Sequence, residues 1–127
     1  MKIQESAENY LEAIFILTKR NGFVRSIDIA TELGYSKPSV SRAMKLLHEN
    51  EYITVGNDGC IHLTARGLGI AEHMYERHMF LAAFLRDLGV DEKIALEDAC
   101  RIEHVISQET FECLQRFAVR LKQSAEA

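Results

Sequence analysis

The sequence predicts a mainly α-helical chain that carries one small β-hairpin. Three observations predict it. Apolar residues recur at helical spacing over most of the 127 residues. Ser, Thr and Asp stand where helices would begin, and Gly or Asn-Gly where several would end. Only the stretch 52–64 is rich in β-formers, and a cluster of turn residues divides it.

Taken in order, Ser6 is a good N-cap for a first helix, with Glu8 in its first turn. Residues 7–20 then set Tyr10, Leu11, Ile14, Phe15 and Leu17 on one face, and Asn21-Gly22 ends the run. Ser26 caps a short second helix, Ile27 to Leu33, closed by Gly34. Ser36 caps a third. Pro38 sits in its first turn, where a missing N–H costs little. Val40, Met44 and Leu47 point inward at i, i+4 and i+7, leaving Ser39, Arg42 and Lys45 on the other side. Tyr52-Ile53-Thr54-Val55 and Cys60-Ile61-His62-Leu63-Thr64 flank Gly56-Asn57-Asp58-Gly59 and read as a hairpin. Thr64 caps a long helix from Ala65 to Leu88, which Gly89 ends. Asp91 caps another from Glu92 to Ile106. Ser107 caps the last, where Phe111 leads into Leu114, Phe117 and Leu121.

Two short helices joined by a tight Gly-containing turn, the second exposing basic and hydroxyl side chains, make a helix-turn-helix. An ordinary helical hairpin with a solvated basic face would look similar. The β-hairpin that follows directly turns the pattern into a winged helix. The expected fold is therefore an N-terminal winged helix-turn-helix with a small β-hairpin wing, residues 1–66, followed by a helical domain, 67–127. Ile70, Met74, Phe80, Leu81, Phe84, Leu85, Phe111, Leu114 and Phe117 exceed what one short bundle buries, which points to a homodimer.

The composition is 47% hydrophobic with one Pro and no Trp, enough for a packed interior and against disorder. No apolar run approaches about 18 residues and the N-terminus has no apolar stretch, so a cytoplasmic protein without a membrane span is expected. Cys60, Cys100 and Cys113 lack zinc-finger spacing and read as free thiols. Residues 1–66 hold eight Lys/Arg against eight Asp/Glu, and residues 67–127 seven against eleven. The net charge of −4 thus lies in the second part. Between Lys37 and His48 there are Lys37, Arg42 and Lys45 and no acid, so a DNA-binding surface is local.

The most informative segment is Glu97-Asp98-Ala99-Cys100-Arg101-Ile102-Glu103-His104-Val105-Ile106-Ser107. On a continuous helix, Cys100, Glu103 and His104 fall at i, i+3 and i+4, on one face. A thiolate, a carboxylate and an imidazole together can grip a divalent transition metal. The same spacing fits a Glu-His pair beside a core cysteine, and the triplet alone does not choose. A Cys100–His104 nucleophile and base is a poor reading: no Gly-rich loop or third orienting group accompanies it. No enzyme is expected.

The chain resembles metal-dependent repressors of the diphtheria-toxin-repressor and manganese-transport-regulator group, from about Glu8 to Leu114. The residues that carry the resemblance are Asn9-Tyr10-Leu11-Glu12-Ala13-Ile14, Tyr35-Ser36-Lys37-Pro38-Ser39-Val40-Ser41, Arg77-His78, Leu88-Gly89-Val90-Asp91, and Ala99 through Ser107. The resemblance implies a metal site at Asn9, Glu12, His78, Cys100, Glu103 and His104. Cys100 matches the iron-type branch, Glu12 the manganese-type branch, and Asn9 neither. Ala82 and Leu96 occupy two positions of the iron-type ancillary site, so that site is expected to be absent. In length the chain resembles the manganese-type branch.

What the resemblance implies is a transcriptional repressor with a divalent metal as corepressor, controlling metal-uptake genes and binding a double-stranded operator as a homodimer. A winged-helix regulator not controlled by metal is the alternative. DNA contacts are expected from Ser36, Lys37, Pro38, Ser39, Ser41 and Arg42, with Lys45 on phosphate. The thiolate and two imidazoles favour Fe²⁺ over Mn²⁺, which prefers oxygen and sits lowest in the affinity series. One principal ion per protomer is expected. His48, His62 and His73 read as surface histidines, and Glu97 and Asp98 as solvated acids.

Overall fold

The computed structural model describes residues 5–126. The reading of the N-terminus as lacking an apolar stretch falls partly on residues 1–4, outside the described residues. The elements run α1 Glu5–Asn21, α2 Ser26–Leu33, α3 Lys37–Glu49, β1 Ile53–Val55, β2 Ile61–Leu63, α4 Ala65–Asp87, α5 Glu92–Ile102 and α6 Gln108–Glu126. They divide into two compact units, residues 1–74 and 75–127, the division falling inside α4. No described helix is long and apolar enough to cross a membrane.

In the first unit, Leu11, Ile14 and Leu17 of α1 pack with Val24, Ile29, Val40, Met44, Leu47, Ile53 and Ile61. Each such side chain contributes about 1.5–3 kcal/mol by leaving water. Ile14 is fully buried, so Ile14→Ala would cost about 2–5 kcal/mol through the cavity it leaves. Ser36 caps α3 by accepting from the Ser39 N–H at 3.3 Å, and Val40, Met44 and Leu47 are its buried residues. Gly34 closes α2 in the left-handed region, φ 70°, with its N–H on the Ala30 carbonyl at 2.9 Å. β1 and β2 pair antiparallel with Ile53 opposite Leu63. Ile61 and Ile53 bury one side while Thr54 and His62 face out. The Ile61 N–H also donates to the Val24 carbonyl at 2.8 Å, which ties the wing to the loop before α2.

Three boundaries differ from expectation. α1 already begins at Glu5, so Ser6 lies inside its first turn. α2 is capped one residue early: the Asp28 carboxylate accepts from the Arg25 N–H at 2.8 Å, and Arg25 has no side-chain acceptor of its own. α5 stops at Ile102, not near Ile106. A side chain of α4 bonds the turn that follows. The Arg77 guanidinium donates to the carbonyls of Glu103 and Ile106, both at 2.9 Å, and to Gln108 Oε1 at 2.9 Å. Those carbonyls are thereby satisfied without a further turn of helix.

The second unit has a smaller core of Leu81, Ala82 and Ala99, with Phe80, Ile102, Ile106 and Leu114 against it. Phe111 is also buried and takes the edge of Phe80 at 5.4 Å. Asp91 caps α5 through the Lys93 N–H at 3.2 Å, and Ser107 caps α6 through the Thr110 N–H at 3.1 Å. Of the apolar residues expected to exceed the core, Phe117 is exposed.

Candidate metal centre and recognition helix

α4 and the turn after α5 build the strongest constellation. His78 projects from α4, and Glu103 and His104 stand just past the last residue of α5. Glu103 is wholly buried. One carboxylate oxygen, Oε2, lies 3.1 Å from His78 Nδ1; the other, Oε1, lies 3.2 Å from His104 Nε2. The His104 side chain is 3% exposed and that of His78 20%. A carboxylate taken fully out of water costs several kcal/mol in effective terms unless a charge or strong hydrogen bonds face it. Here two imidazoles face it. Each nitrogen stands on a different oxygen of the carboxylate, and imidazole and carboxylate are donor types that a borderline divalent ion takes, so the residues fit such an ion.

The helical i, i+3, i+4 reading of Cys100, Glu103 and His104 is corrected. Glu103 is the C-cap of α5 and His104 lies in the turn beyond it. Cys100 is still within α5 but exposed, so it is not the core cysteine that the simplest structural reading would need. On α1, Glu12 is buried and Asn9 half-buried. The structure therefore brings His78, Glu103 and His104 together within the second unit. Sequence reasoning missed Arg77, except as a neighbour of His78. A signal was available: Met74, Arg77 and Leu81 fall at i, i+3 and i+7, and all three are buried. An arginine on the apolar stripe of a helix must find acceptors. Arg77 Nη1 and Nη2 find three of them, and its guanidinium also lies 5.2 Å over the Phe111 ring.

α3 presents the other set. Ser36, Lys37, Pro38, Ser41, Arg42 and Lys45 are exposed and Ser39 half-buried. Their first turn is already linked: the Ser36 hydroxyl meets Ser39 Oγ at 2.8 Å, and Arg42 Nη2 donates to the same oxygen at 3.3 Å. Tyr35 packs edge-on against Tyr10 at 5.8 Å just before the helix. Burial, with Tyr35 adding to it, pushes the Tyr10 phenol above its ordinary value. The wing turn carries Asn57 and Asp58 and no cation. The Cys60 N–H, 3.0 Å from Asp58 Oδ1, holds that carboxyl below its ordinary value. Arg25 Nε clasps the Asp58 carbonyl at 3.1 Å. Exposed cations and hydroxyls at the start of a helix are what major-groove readers present.

Comparison with known proteins gives a consistent picture. Residues 2–60 match the family described as iron dependent repressor, N-terminal DNA binding domain. Residues 64–126 match iron dependent repressor, metal binding and dimerisation domain. An uncharacterised HTH-type transcriptional regulator of Methanocaldococcus jannaschii is 33% identical over 122 residues, spanning 94% of this chain and 98% of that protein. The transcriptional regulator MntR of Salmonella typhimurium is 35% identical over 123 residues, spanning 97% of this chain and 78% of that one. The solved structure of the manganese regulator SloR matches with a TM-score of 0.78 at 27% identity. The match covers 93% of this chain and 54% of SloR, so the chain spans about half the length of that structure.

Proposed function

The chain belongs to the iron-dependent repressor family of metal-dependent transcriptional regulators, and we propose that it is a DNA-binding repressor whose corepressor is a divalent metal. The observation that carries this reading is the buried Glu103 carboxylate with an imidazole nitrogen on each oxygen. We read residues 1–66 as the DNA-binding domain and 67–127 as the metal-binding and dimerisation domain. His78, Glu103 and His104 hold the ion. Cys100 and, from α1, Glu12 and Asn9 complete the set carried over from the family resemblance. If metal binding favours the DNA-bound protein, DNA must tighten metal binding by the same factor.

Ser36, Lys37, Pro38, Ser39, Ser41 and Arg42 read base edges, and Lys45 meets phosphate. Phe117 and Leu121, exposed at i and i+4 on α6, belong to a homodimer interface. The dimer then reads two half-sites about one DNA turn, or a multiple of it, apart. We place it in the cytoplasm, acting on metal-uptake genes. Mobility shift of the chain's own promoter DNA, with and without metal, tests the reading. The alternative, a regulator indifferent to metal, draws on the same geometry: both Glu103 oxygens already face imidazoles. DNA binding unchanged by a chelator would select it.

The metal reading is one Fe²⁺ per protomer, with Mn²⁺ the alternative. Chemistry supports Fe²⁺ if the Cys100 thiolate joins two imidazoles, because soft and nitrogen donors disfavour Mn²⁺. SloR, a manganese regulator, weighs on the other side. Anaerobic calorimetry with Fe²⁺ and Mn²⁺, on wild type and Cys100→Ser, decides between them. Two tight Mn²⁺ per protomer, with Mn²⁺ the better activator of DNA binding, would overturn the Fe²⁺ reading.

A further inference from the structure

We infer that Arg77 is a positioning residue for the metal half-site: it ends α5 at Ile102 and fixes the turn from which the Glu103 carboxylate meets His78 on one oxygen and His104 on the other. The inference rests on the metal reading above and goes beyond its ligands.

Arg77 is 6% exposed, so its guanidinium was taken out of water on folding. Nη1 and Nη2 donate to two main-chain carbonyls and one amide oxygen. Those carbonyls belong to Glu103 and Ile106, the two ends of the turn that holds both donors. In a continuing helix the Glu103 carbonyl would accept from the N–H of residue 107. Here Arg77 Nη1 takes it at 2.9 Å and takes the Ile106 carbonyl with the same nitrogen. Nη2 reaches Gln108 Oε1 at the first residue of α6, which anchors the far side of the turn.

Adjacent residues on α4 thus grip Glu103 twice. Arg77 holds its carbonyl, and His78 meets its carboxylate at 3.1 Å. The rigid fork of arginine can serve three acceptors at once, which a point-charge ammonium cannot do with the same geometry. Groups that orient metal ligands commonly change metal affinity by about 10- to 100-fold when removed.

The experiment uses the full chain with Co²⁺ as probe, read by calorimetry and by the visible absorption of the bound ion. Arg77→Met should lower Co²⁺ affinity by about 10- to 100-fold and alter the absorption spectrum, while the metal-free protein keeps its helical circular dichroism. Arg77→Lys should recover part of the affinity, and Gln108→Ala should lose only a few-fold. Leu114→Ala removes apolar packing from the same small core and none of the hydrogen bonds that Arg77 makes to the turn; it should lower thermal stability and leave the Co²⁺ spectrum as it is. Folded Arg77→Lys and Gln108→Ala proteins with wild-type affinity and spectrum overturn the inference. So does a Leu114→Ala protein that loses affinity and spectrum as Arg77→Met does, since bulk stability would then suffice. If Glu103→Ala binds Co²⁺ like wild type, the metal reading itself has failed; if only the Arg77 and Gln108 variants do, positioning alone has.

Discussion

On α3, the groups assigned to DNA stand in water, on a helix whose other side supplies Val40, Met44 and Leu47 to the core. In the turn after α5, the groups assigned to metal are buried, and the helix that should carry them has stopped. The contrast follows from what each partner demands. A DNA backbone approaches a preformed convex surface, and exposed cations cost little to keep there. An ion needs converging donors, and here Glu103 and His104 stand at and just past the end of α5 while His78 comes from α4. The first region should therefore tolerate single substitutions with graded losses. The second should fail in an all-or-none way.

The sharpest test of that contrast is Glu103→Ala or His104→Ala. Either should abolish metal-stimulated DNA binding while the metal-free protein remains folded, as judged by circular dichroism and by the oligomeric state in solution. A Glu103→Ala protein that answers to metal like wild type would place the site elsewhere and erase the contrast.

The first unit has one position where gradedness should break down. A Cβ on Gly67, in the first turn of α4, would run into the Tyr52 carbonyl, a backbone group that cannot swing away. Gly67→Ala should cost about 1–3 kcal/mol of stability, visible as a lowered Tm with metal selectivity unchanged. Wild-type Tm in this variant would show that α4 can shift at no cost.

Smaller effects are expected on α3. Arg42→Ala should lose about 1–3 kcal/mol of discrimination at one base pair. Lys45→Ala should weaken all sequences alike and flatten the salt dependence by about one unit of slope. Fluorescence anisotropy on operator and scrambled DNA across a salt series separates the two. Equal effects of both variants on both DNAs would break the division into a base reader and a phosphate contact.

The same contrast explains what could be read from the sequence. The Ser36 cap, the buried period of α3, the Gly34 stop and the hairpin all follow from interactions within a few residues, and all stand where the sequence places them. The early cap at Arg25 is a one-residue slip of the kind helix ends allow. The end of α5 is different in kind. A side chain 26 residues earlier bonds the Glu103 carbonyl there, and no local signal between Glu97 and Ser107 records it. Ligand types in that segment were legible; that Glu103 caps α5 and His104 lies past its last residue was not.

The smallest effects should come from the two cysteines outside the assigned ligand set. Cys113 is exposed on α6, with Arg116 Nη2 3.1 Å from its sulfur. A serine there keeps an acceptor for the same guanidinium. Cys60 is buried under the wing turn, beside Asp58. Burial, helped by that carboxylate, pushes its thiol above the ordinary value of 9.0. A thiol whose folded pKa is raised favours folding while neutral. That contribution is present below the unfolded pKa and lost as pH rises through the folded one. Cys60→Ser should therefore flatten the alkaline decline in stability, read as Tm against pH above about 8.5. Neither Cys60→Ser nor Cys113→Ser should shift the metal concentration that half-saturates DNA binding by more than about twofold, the usual scale of a surface or conservative change. A larger shift with Cys113→Ser would mean that a thiolate from the exposed side of α6 has a part in metal control. The division between a buried metal centre and a solvated DNA surface would then have to be redrawn.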